Sequence, residues 1–209
     1  MDLGRGIKRV ICAAAGTLFL HSAAVAQVLT DTADGVLSAS IPFGNLTPGT
    51  STTPSSTQVH FRIRSNNDTG YKVRVSAIFN VTPTSVVQGG ATISASDIGV
   101  GITSLVIEPS VKTPRTDAIA AGFNYDPATV LAASGLSPYT DAASGRATLA
   151  DIIANPNLTI LSGPKITNNQ GINSPSNFIT VTVTFGLLGQ FFTPATLSGV
   201  LTLTIVNGP

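Results

Sequence analysis

The chain is poor in the residues that most often carry protein chemistry. Its 209 residues include one cysteine, two histidines and no tryptophan, and charged side chains make up 10% of the sequence. A single cysteine excludes the intrachain disulfide framework on which many small secreted domains depend. The fold must therefore be held together by buried apolar side chains and by strand pairing.

The same scarcity argues against an enzyme. A zinc site needs several His or Cys ligands, and a serine or cysteine hydrolase needs a base beside its nucleophile. His60 is the candidate base, but it lies on the polar side of an alternating segment. Paired carboxylates for glycoside hydrolysis would have to come from Glu108 or from the aspartates that follow it. We therefore expect a protein with no catalytic residues, no bound metal and no cofactor. The aspartates in question are Asp117, Asp126, Asp141 and Asp151.

The first 26 residues have the three parts of a secretory signal. Three basic residues among the first nine precede a largely apolar stretch at residues 10–26, and Ala24 and Ala26 form a small-x-small cleavage box. A membrane anchor is the alternative, but it needs about 20 consecutive apolar residues, and this run is shorter. We expect export by a bacterial-type signal, cleavage before Gln27 and no transmembrane segment in the mature chain.

Removal of the signal leaves a chain with little net charge. Three of the eleven basic residues and one of the ten acidic residues are lost, so the mature net charge is near −1. This balance gives no electrostatic reason to expect binding to nucleic acid or to an anionic membrane surface. About 183 residues remain, which is enough for one domain, at 27–209, with a sizeable core.

Apolar and polar residues alternate in several segments of the mature chain, as they do in half-buried β-strands. Because strands with one apolar side must pack those sides together, the pattern predicts an all-β fold. We expect an antiparallel β-sandwich that is Ig-like or jelly-roll-like. The segments are 36–41, 59–64, 71–79, 179–185 and 197–206, with a continuously apolar strand at 102–107.

Two adjacent segments and the turn between them predict a β-hairpin. The turn at residues 66–70 joins segment 59–64 to segment 71–79, and the hairpin would place four of the mature basic residues on one outward face. One interpretation is a solvated face that discourages edge pairing. The other is a contact surface for an acidic patch on a neighbouring subunit or for an anionic surface polymer. The four residues are Arg62, Arg64, Lys72 and Arg74.

Residues 109–156 break the alternation and are predicted to be an insertion with two short helices. Asp126 followed by Pro127 is a typical helix start, with Gly135 as its end. The second helix is predicted at residues 147–154. The insertion is expected to lie over one end or edge of the sandwich.

The insertion also holds two of the three tyrosines of the chain. Tyr125 and Tyr139 are the only plausible pair of aromatic platforms for a carbohydrate ligand. The alternative, which we favour, is that both side chains anchor the insertion to the sandwich.

Two segments carry a resemblance to known proteins. The pattern VHFRIRSNNDTGYKVRVSA at 59–77 and the closing strand TPATLSGVLTLTIVNGP at 193–209 resemble secreted bacterial β-sandwich surface proteins. This group includes WxL-type cell-surface domains and fimbrial or coat-protein subunits. The resemblance implies a sandwich fold and a location at the cell surface. The chain departs from the group in having neither the tryptophan of the WxL signature nor a cysteine pair.

These features favour a structural role at the bacterial surface. The leading hypothesis is a subunit of an extracellular filament, coat or surface layer, with copies of itself or other cell-surface components as partners. Residues 27–41 could add as a strand to a neighbour, although pairing within their own fold is favoured. The alternative is a monomeric adhesin or ligand-binding module with its site in the 109–156 insertion.

The signal assignment predicts the amino terminus of the exported protein. When the chain is secreted from a bacterial host, we expect intact-mass measurement and N-terminal sequencing to find Gln27 as the first residue. Ala26→Arg should block processing because the cleavage box requires small side chains. Exported protein that keeps residues 1–26 would contradict the assignment.

Overall fold

The structure is a computed structural model that describes most of the chain after residue 35. The described residues are 36–46, 54–65, 67–83, 91–111, 113–130, 139, 145–167, 177–187 and 193–208. The predicted signal at 1–26 and its cleavage box lie outside this range. Within it, no helix has the length and apolar character needed to cross a membrane.

Antiparallel β-strands dominate the described residues, as the alternating pattern predicts. One short helix, α1 (Leu149–Ala154), and two single 3-10 turns, Ala95–Asp97 and Ala121–Phe123, accompany them. The strands are β1 (Val36–Leu46), β2 (Ser55–Ile63), β3 (Tyr71–Pro83), β4 (Ile98–Ile107), β5 (Ala118–Ile119), β6 (Leu158–Gly163), β7 (Ile179–Leu187) and β8 (Ala195–Asn207).

The strands form two antiparallel sheets. The five-stranded sheet has the order β1-β8-β3-β6-β5, and the three-stranded sheet has the order β2-β7-β4. Strand β8 lies between β1 and β3, so the closing strand of the described chain holds the larger sheet together. The segment 36–41, which could have paired with a neighbour, pairs with β8 of its own chain.

One hydrophobic core takes side chains from both sheets. In the alternating strands most residues on the apolar side are buried, and Ala77 and Phe79 of β3 are partly buried against the same core. Phe43 of β1 meets Phe185 of β7 with their ring centroids 6.3 Å apart, so the sheets are in contact. Each large apolar side chain that is fully buried stabilises the fold by roughly 1.5–3 kcal/mol. The core includes Phe61, Ile63, Tyr71, Val73, Val75, Ile179, Val181, Val183, Leu201, Leu203 and Ile205.

The hairpin predicted for β2 and β3 is wrong. Strand β2 pairs with β7, whereas β3 pairs with β8 and β6, so the two strands belong to different sheets. The turn between them exists: Asn67 Oδ1 accepts the Thr69 backbone N–H at 3.0 Å, and Gly70 has a φ of +98°. The Ser65 carbonyl oxygen accepts backbone N–H bonds from Ile166 and Thr167. These bonds hold the chain where it crosses from one sheet to the other.

The predicted insertion contains more strand and less helix than expected. The second helix is confirmed as α1, whose first turn is closed by Asp151: its Oδ2 accepts the N–H of Thr148 at 2.7 Å and the Thr148 hydroxyl at 2.8 Å. The first helix is not formed in the described residues up to 130, which make a turn after Asp126. The carbonyl oxygen of Pro127 accepts a hydrogen bond from the Tyr139 hydroxyl.

The insertion joins the two sheets along one side. Its strand β5 pairs with β6 in the five-stranded sheet. Its later part pairs with β4 of the three-stranded sheet through a bridge between Gly99 and Thr148 and a 3.0 Å bond from Val100 N–H to the Ala147 carbonyl. The insertion is thus a crossover between the sheets rather than an appendage on one end.

A buried ion pair fixes the start of this crossover. Arg115 Nε and Nη2 donate to the two carboxylate oxygens of Asp117, each at 2.6 Å, and the two side chains are only 3% and 6% exposed. The Tyr71 hydroxyl of β3 donates to the same carboxylate at 2.7 Å. Arg115 also donates to the backbone carbonyls of Pro164 and Lys165, so one guanidinium ties the insertion to the residues after β6.

We predict that Asp117→Asn will destabilise the protein by about 3–5 kcal/mol, because it leaves the Arg115 charge buried without its carboxylate. The matched control is Asp68→Asn, which removes the partner of Lys165 in a pair where Asp68 is 90% exposed. That change should cost no more than about 1 kcal/mol. Urea unfolding measures both, and equal losses would contradict the prediction.

Candidate interaction surface

The four basic residues predicted to share one face do not share it. Arg62 lies on β2 of the three-stranded sheet and Arg64 directly follows that strand, whereas Lys72 and Arg74 lie on β3 in the five-stranded sheet. The premise of a single four-cation surface is therefore wrong. The alternation correctly separates inward from outward residues in each strand, but it carries no information about which strands are neighbours.

Arg62 of β2 and Arg64, which follows that strand, pack on an aromatic ring. The guanidinium carbons of Arg62 and Arg64 lie 4.5 Å and 5.6 Å from the ring centroid of Phe178. Arg64 is only 7% exposed. Such cation–π contacts hold the charges against the sheet, so the Arg64 side chain is part of the packed structure and offers little surface to a partner.

Lys72 and Arg74 lie half-buried on the outward side of β3. Their cross-strand neighbours on β8 are Val206 and Thr204, and on β6 they are Ser162 and Thr159. Of the four predicted residues, Lys72 and Arg74 therefore share one sheet, and their cross-strand neighbours carry hydroxyl groups or apolar side chains.

The two tyrosines of the insertion anchor it to the three-stranded sheet, the interpretation favoured above. Tyr139 is 2% exposed and donates to the Pro127 carbonyl, and Tyr125 donates to the Ala147 carbonyl at 2.7 Å. A Cβ on Gly99 would lie 2.4 Å from the Tyr139 ring, so the ring packs directly on the bare backbone of β4. A buried ring in this position cannot stack on a carbohydrate.

Glycines and threonines make this packing possible. Gly99 of β4 and Gly186 of β7 are cross-strand partners, and a Cβ on Gly186 would lie 2.6 Å from the Pro127 carbonyl oxygen. Next to them Thr184 is fully buried, and its hydroxyl bonds to Gln58 at 3.2 Å and to Thr103 at 2.7 Å. The threonines of β7 lie on the side of the strand opposite its core residues, and the insertion covers part of that side at Gly186.

The remaining candidate residues serve local structure. The Nδ1 atom of His60 lies 3.0 Å from the Thr182 hydroxyl across the strand pair. Asp126 Oδ1 accepts the Ala128 N–H at 2.9 Å, Asp151 closes the first turn of α1, and Asp141 lies outside the described residues. In the part of the chain that the structure describes, no three His, Cys, Asp or Glu residues are grouped as metal ligands would be.

An exposed apolar groove lies on the outer face of the five-stranded sheet. Ile78 is 67% exposed and Val200 is 38% exposed, and they are direct cross-strand partners on β3 and β8. Beside them is an open groove of about 330 Å³ that spans β1, β8 and β3. We call this face the Ile78 surface. Its lining includes Ser40, Gly44, Ile78, Asn80, Ser198 and Val200.

The sequence contained a signal for the Ile78 surface. Ile78 and Val200 stand in the outward register of two strands whose other outward residues are mostly polar, so each interrupts its own alternation. Single apolar residues on a surface are common and need no explanation. Ile78 and Val200 become neighbours through the pairing of β3 with β8, which the alternating pattern does not predict.

No family model, no curated protein and no solved structure matches the chain. The resemblance to WxL-type domains and fimbrial subunits therefore stays a prediction.

The three tyrosines are expected to lower the stability of the fold at alkaline pH. Burial raises the pKa of Tyr71, Tyr125 and Tyr139 above the ordinary value, and for Tyr71 the bond to the Asp117 carboxylate raises the pKa further. Folded phenols therefore stay neutral while unfolded ones ionise above pH ~10. The free energy of unfolding should be independent of these groups below that pH and fall above it, by about 1.4 kcal/mol per pH unit for each tyrosine.

Phenolate absorbance and circular dichroism, recorded together during an alkaline titration, test this expectation. Phenolate should appear only as the strand signal is lost. Tyr71→Phe should reduce the pH slope of stability by about a third. Phenolate formation in the folded protein near pH 10 would contradict the burial of these side chains.

Proposed function

We propose that this protein is an exported, non-enzymatic structural subunit of an extracellular bacterial assembly, such as a filament, coat or surface layer. Residues 1–26 act as its signal peptide. The two sheets act as the layers of a β-sandwich around the shared core. The partners are other copies of the chain or other components of the cell surface.

The edge strand β1 is the observation that carries this proposal. It contains no Asp, Glu, Lys or Arg over its 11 residues, and its only strand partner in the described chain is β8. An edge strand presents unpaired backbone N–H and C=O groups, and natural proteins usually block such an edge with charge, proline or a bulge. Here the register irregularity begins after Ile41, so Val36 to Ile41 is left without such a block.

The opposite edge of the same sheet differs. Strand β5 is two residues long. In the chain that follows it, the Gly122 carbonyl accepts the Ala147 backbone N–H at 2.8 Å, and the Ala147 carbonyl accepts the backbone N–H of Val100 in β4. A two-residue edge offers little for another strand to pair with. Among the described residues, the five-stranded sheet is thus open along β1, whereas its other edge is the two-residue strand β5.

A second copy of β1 fits this edge. In an antiparallel pair centred on Ser38, each Ser38 faces its counterpart and residues 36–40 are all paired, clear of Pro42, which lacks an N–H. Residues that point to the core in one copy then meet residues that point to the core in the other, because the side-chain period is two. The small, uncharged Ser38 and Ala39 introduce neither steric conflict nor repulsion. Pairing about a two-fold axis uses the same surface of both copies.

The alternative of a monomeric adhesin receives less support from these residues. Tyr125 and Tyr139, its candidate ligand contacts, use their hydroxyl groups to bond backbone carbonyls of the insertion. Other residues of the insertion would have to form the ligand site.

The edge-pairing proposal predicts that Ser38→Lys prevents association. Lysines directly opposite each other across an antiparallel pair repel, whereas Ser38→Thr keeps a strand-favouring side chain and should associate normally. Ala118→Lys is the matched control, since it adds the same charge to an exposed residue on the other edge of the sheet. Light scattering coupled to size-exclusion chromatography, with negative-stain imaging, measures the assembly state.

The wild-type protein and both controls should form assemblies, and Ser38→Lys should form none that depend on β1. A wild-type protein that stays monomeric at its highest soluble concentration would overturn the structural-subunit proposal. Assembly by Ser38→Lys equal to that of the wild type would overturn the role of β1 in it.

A further inference from the structure

The charge on the five-stranded sheet is confined to its central strand. Over the five strands the only charged residues are Lys72 and Arg74, both on β3. They are two residues apart, so both side chains lie on the outer face, about 7 Å apart along the strand. Three of their four cross-strand neighbours carry hydroxyl groups. We call this area the Arg74 patch, and it consists of Lys72, Arg74, Thr159, Ser162 and Thr204.

No acidic side chain of the described chain balances the two cations of the patch. Asp117 is bound by Arg115. Asp68, in the turn before β3, is bound by Lys165, and no strand of this sheet contains an acidic residue. Neither cation of the patch forms an ion pair with another described residue. Two adjacent like charges without a counter-charge create a local positive field, which attracts an anion.

The position of the two cations argues against the interpretation that they discourage edge pairing. Lysine and arginine have that effect on an edge strand. Strand β3 pairs with β8 on one side and with β6 on the other, so it is the centre of the sheet. Its backbone groups are already used in these pairs, and the patch therefore offers a ligand side chains alone.

The side chains of the patch fit a carboxylate. An arginine guanidinium donates two parallel hydrogen bonds to a carboxylate, and a lysine ammonium adds a point charge beside it. Thr204 of β8 and Thr159 of β6 lie on either side of Arg74, at a strand spacing of about 4.8 Å. Their hydroxyl groups can donate and accept hydrogen bonds, as sugar hydroxyls also do. We propose that the Arg74 patch binds a polysaccharide that carries carboxylate groups.

The setting of the patch favours a polysaccharide over a peptide or a small acid. Peptides that bind to a sheet add to the unpaired backbone of an edge strand, which β3 lacks. Sites for small molecules are concave and enclose their ligand, whereas the patch lies on the outer face of three adjacent strands. A chain of sugars can lie across this face and place successive carboxylates near Lys72 and Arg74. The inference goes beyond the proposed function, because this partner is not a copy of the chain and the face is not the β1 edge.

Biolayer interferometry with immobilised polygalacturonate tests the inference on the exported protein. The wild type should bind this polymer and should not bind dextran, a polysaccharide without charge. Lys72→Gln and Arg74→Gln should each weaken binding by about tenfold, because hydrogen bonds to charged groups are the strong ones. Thr204→Val removes a hydroxyl group and keeps the shape, and it should weaken binding by about threefold. Salt at about 1 M, where charges are screened beyond ~3 Å, should also weaken binding by the wild type.

Arg62→Gln is the matched control for Arg74→Gln. Arg62 is a half-buried arginine on a strand of the other sheet, and its loss changes the net charge equally. This variant and Lys72→Arg, which keeps the charge, should bind as the wild type does. Poly-L-glutamate presents carboxylates on a polypeptide and should bind more weakly than polygalacturonate. Circular dichroism and thermal unfolding check that each variant is folded.

Light scattering measures the assembly state of the same samples, so the outcomes separate this inference from the proposed function. A wild-type protein that does not bind polygalacturonate, or binding that survives both glutamine substitutions, would overturn the inference and leave the structural role standing. Equal loss in Arg62→Gln would overturn it as an effect of net charge. Tighter binding to poly-L-glutamate would overturn it in favour of an acidic protein. Binding by a wild type that stays monomeric would support the patch and overturn the structural-subunit proposal.

Discussion

The described part of this protein depends on a single hydrophobic core to which alternate side chains of both sheets contribute. With a single cysteine there is no disulfide to restrain the unfolded chain, and the cost of ordering the backbone must be offset by apolar burial. Phe61 and Ile63 from β2 meet the same core as Val73 and Val75 from β3. The strands that fill the core also fix the positions of everything on the outer faces, since a side chain that points inward forces its neighbours outward.

The outer faces of the two sheets differ in what lies on them. On the three-stranded sheet, Gly99 and Gly186 remove side chains from the outward register, and the insertion packs Tyr139 on the exposed backbone. On the five-stranded sheet, no described segment of the chain covers the outward residues around Ile78. Among the described residues, the insertion covers part of the three-stranded sheet, whereas none lies over the Ile78 surface or pairs with the outer edge of β1.

Alternation predicted the strands and their buried residues well, because burial on one face is a local property of sequence. It could not predict pairing, which depends on contacts far apart in the chain: β2 and β3 follow one another, yet they lie in different sheets. The short strand β5 was missed because two residues carry no period, and β6 was missed although Ile160 and Leu161 are both buried. The residues after Asp126 form a turn as far as residue 130, where the sequence predicted the first turn of a helix. The Ile78 surface could not be predicted from alternation, because it forms only through the pairing of β3 with β8.

The pairing of β1 with β8 joins positions that are far apart along the chain. The Ser38 and Thr202 hydroxyls, which lie 3.0 Å apart, are separated by 164 residues. Folds dominated by such distant pairings have high contact order and form slowly. Since synthesis proceeds from the amino terminus, β1 must wait for β8 before the larger sheet can close. A polypeptide with this order of strands cannot complete its larger sheet until nearly all of its residues have been synthesised.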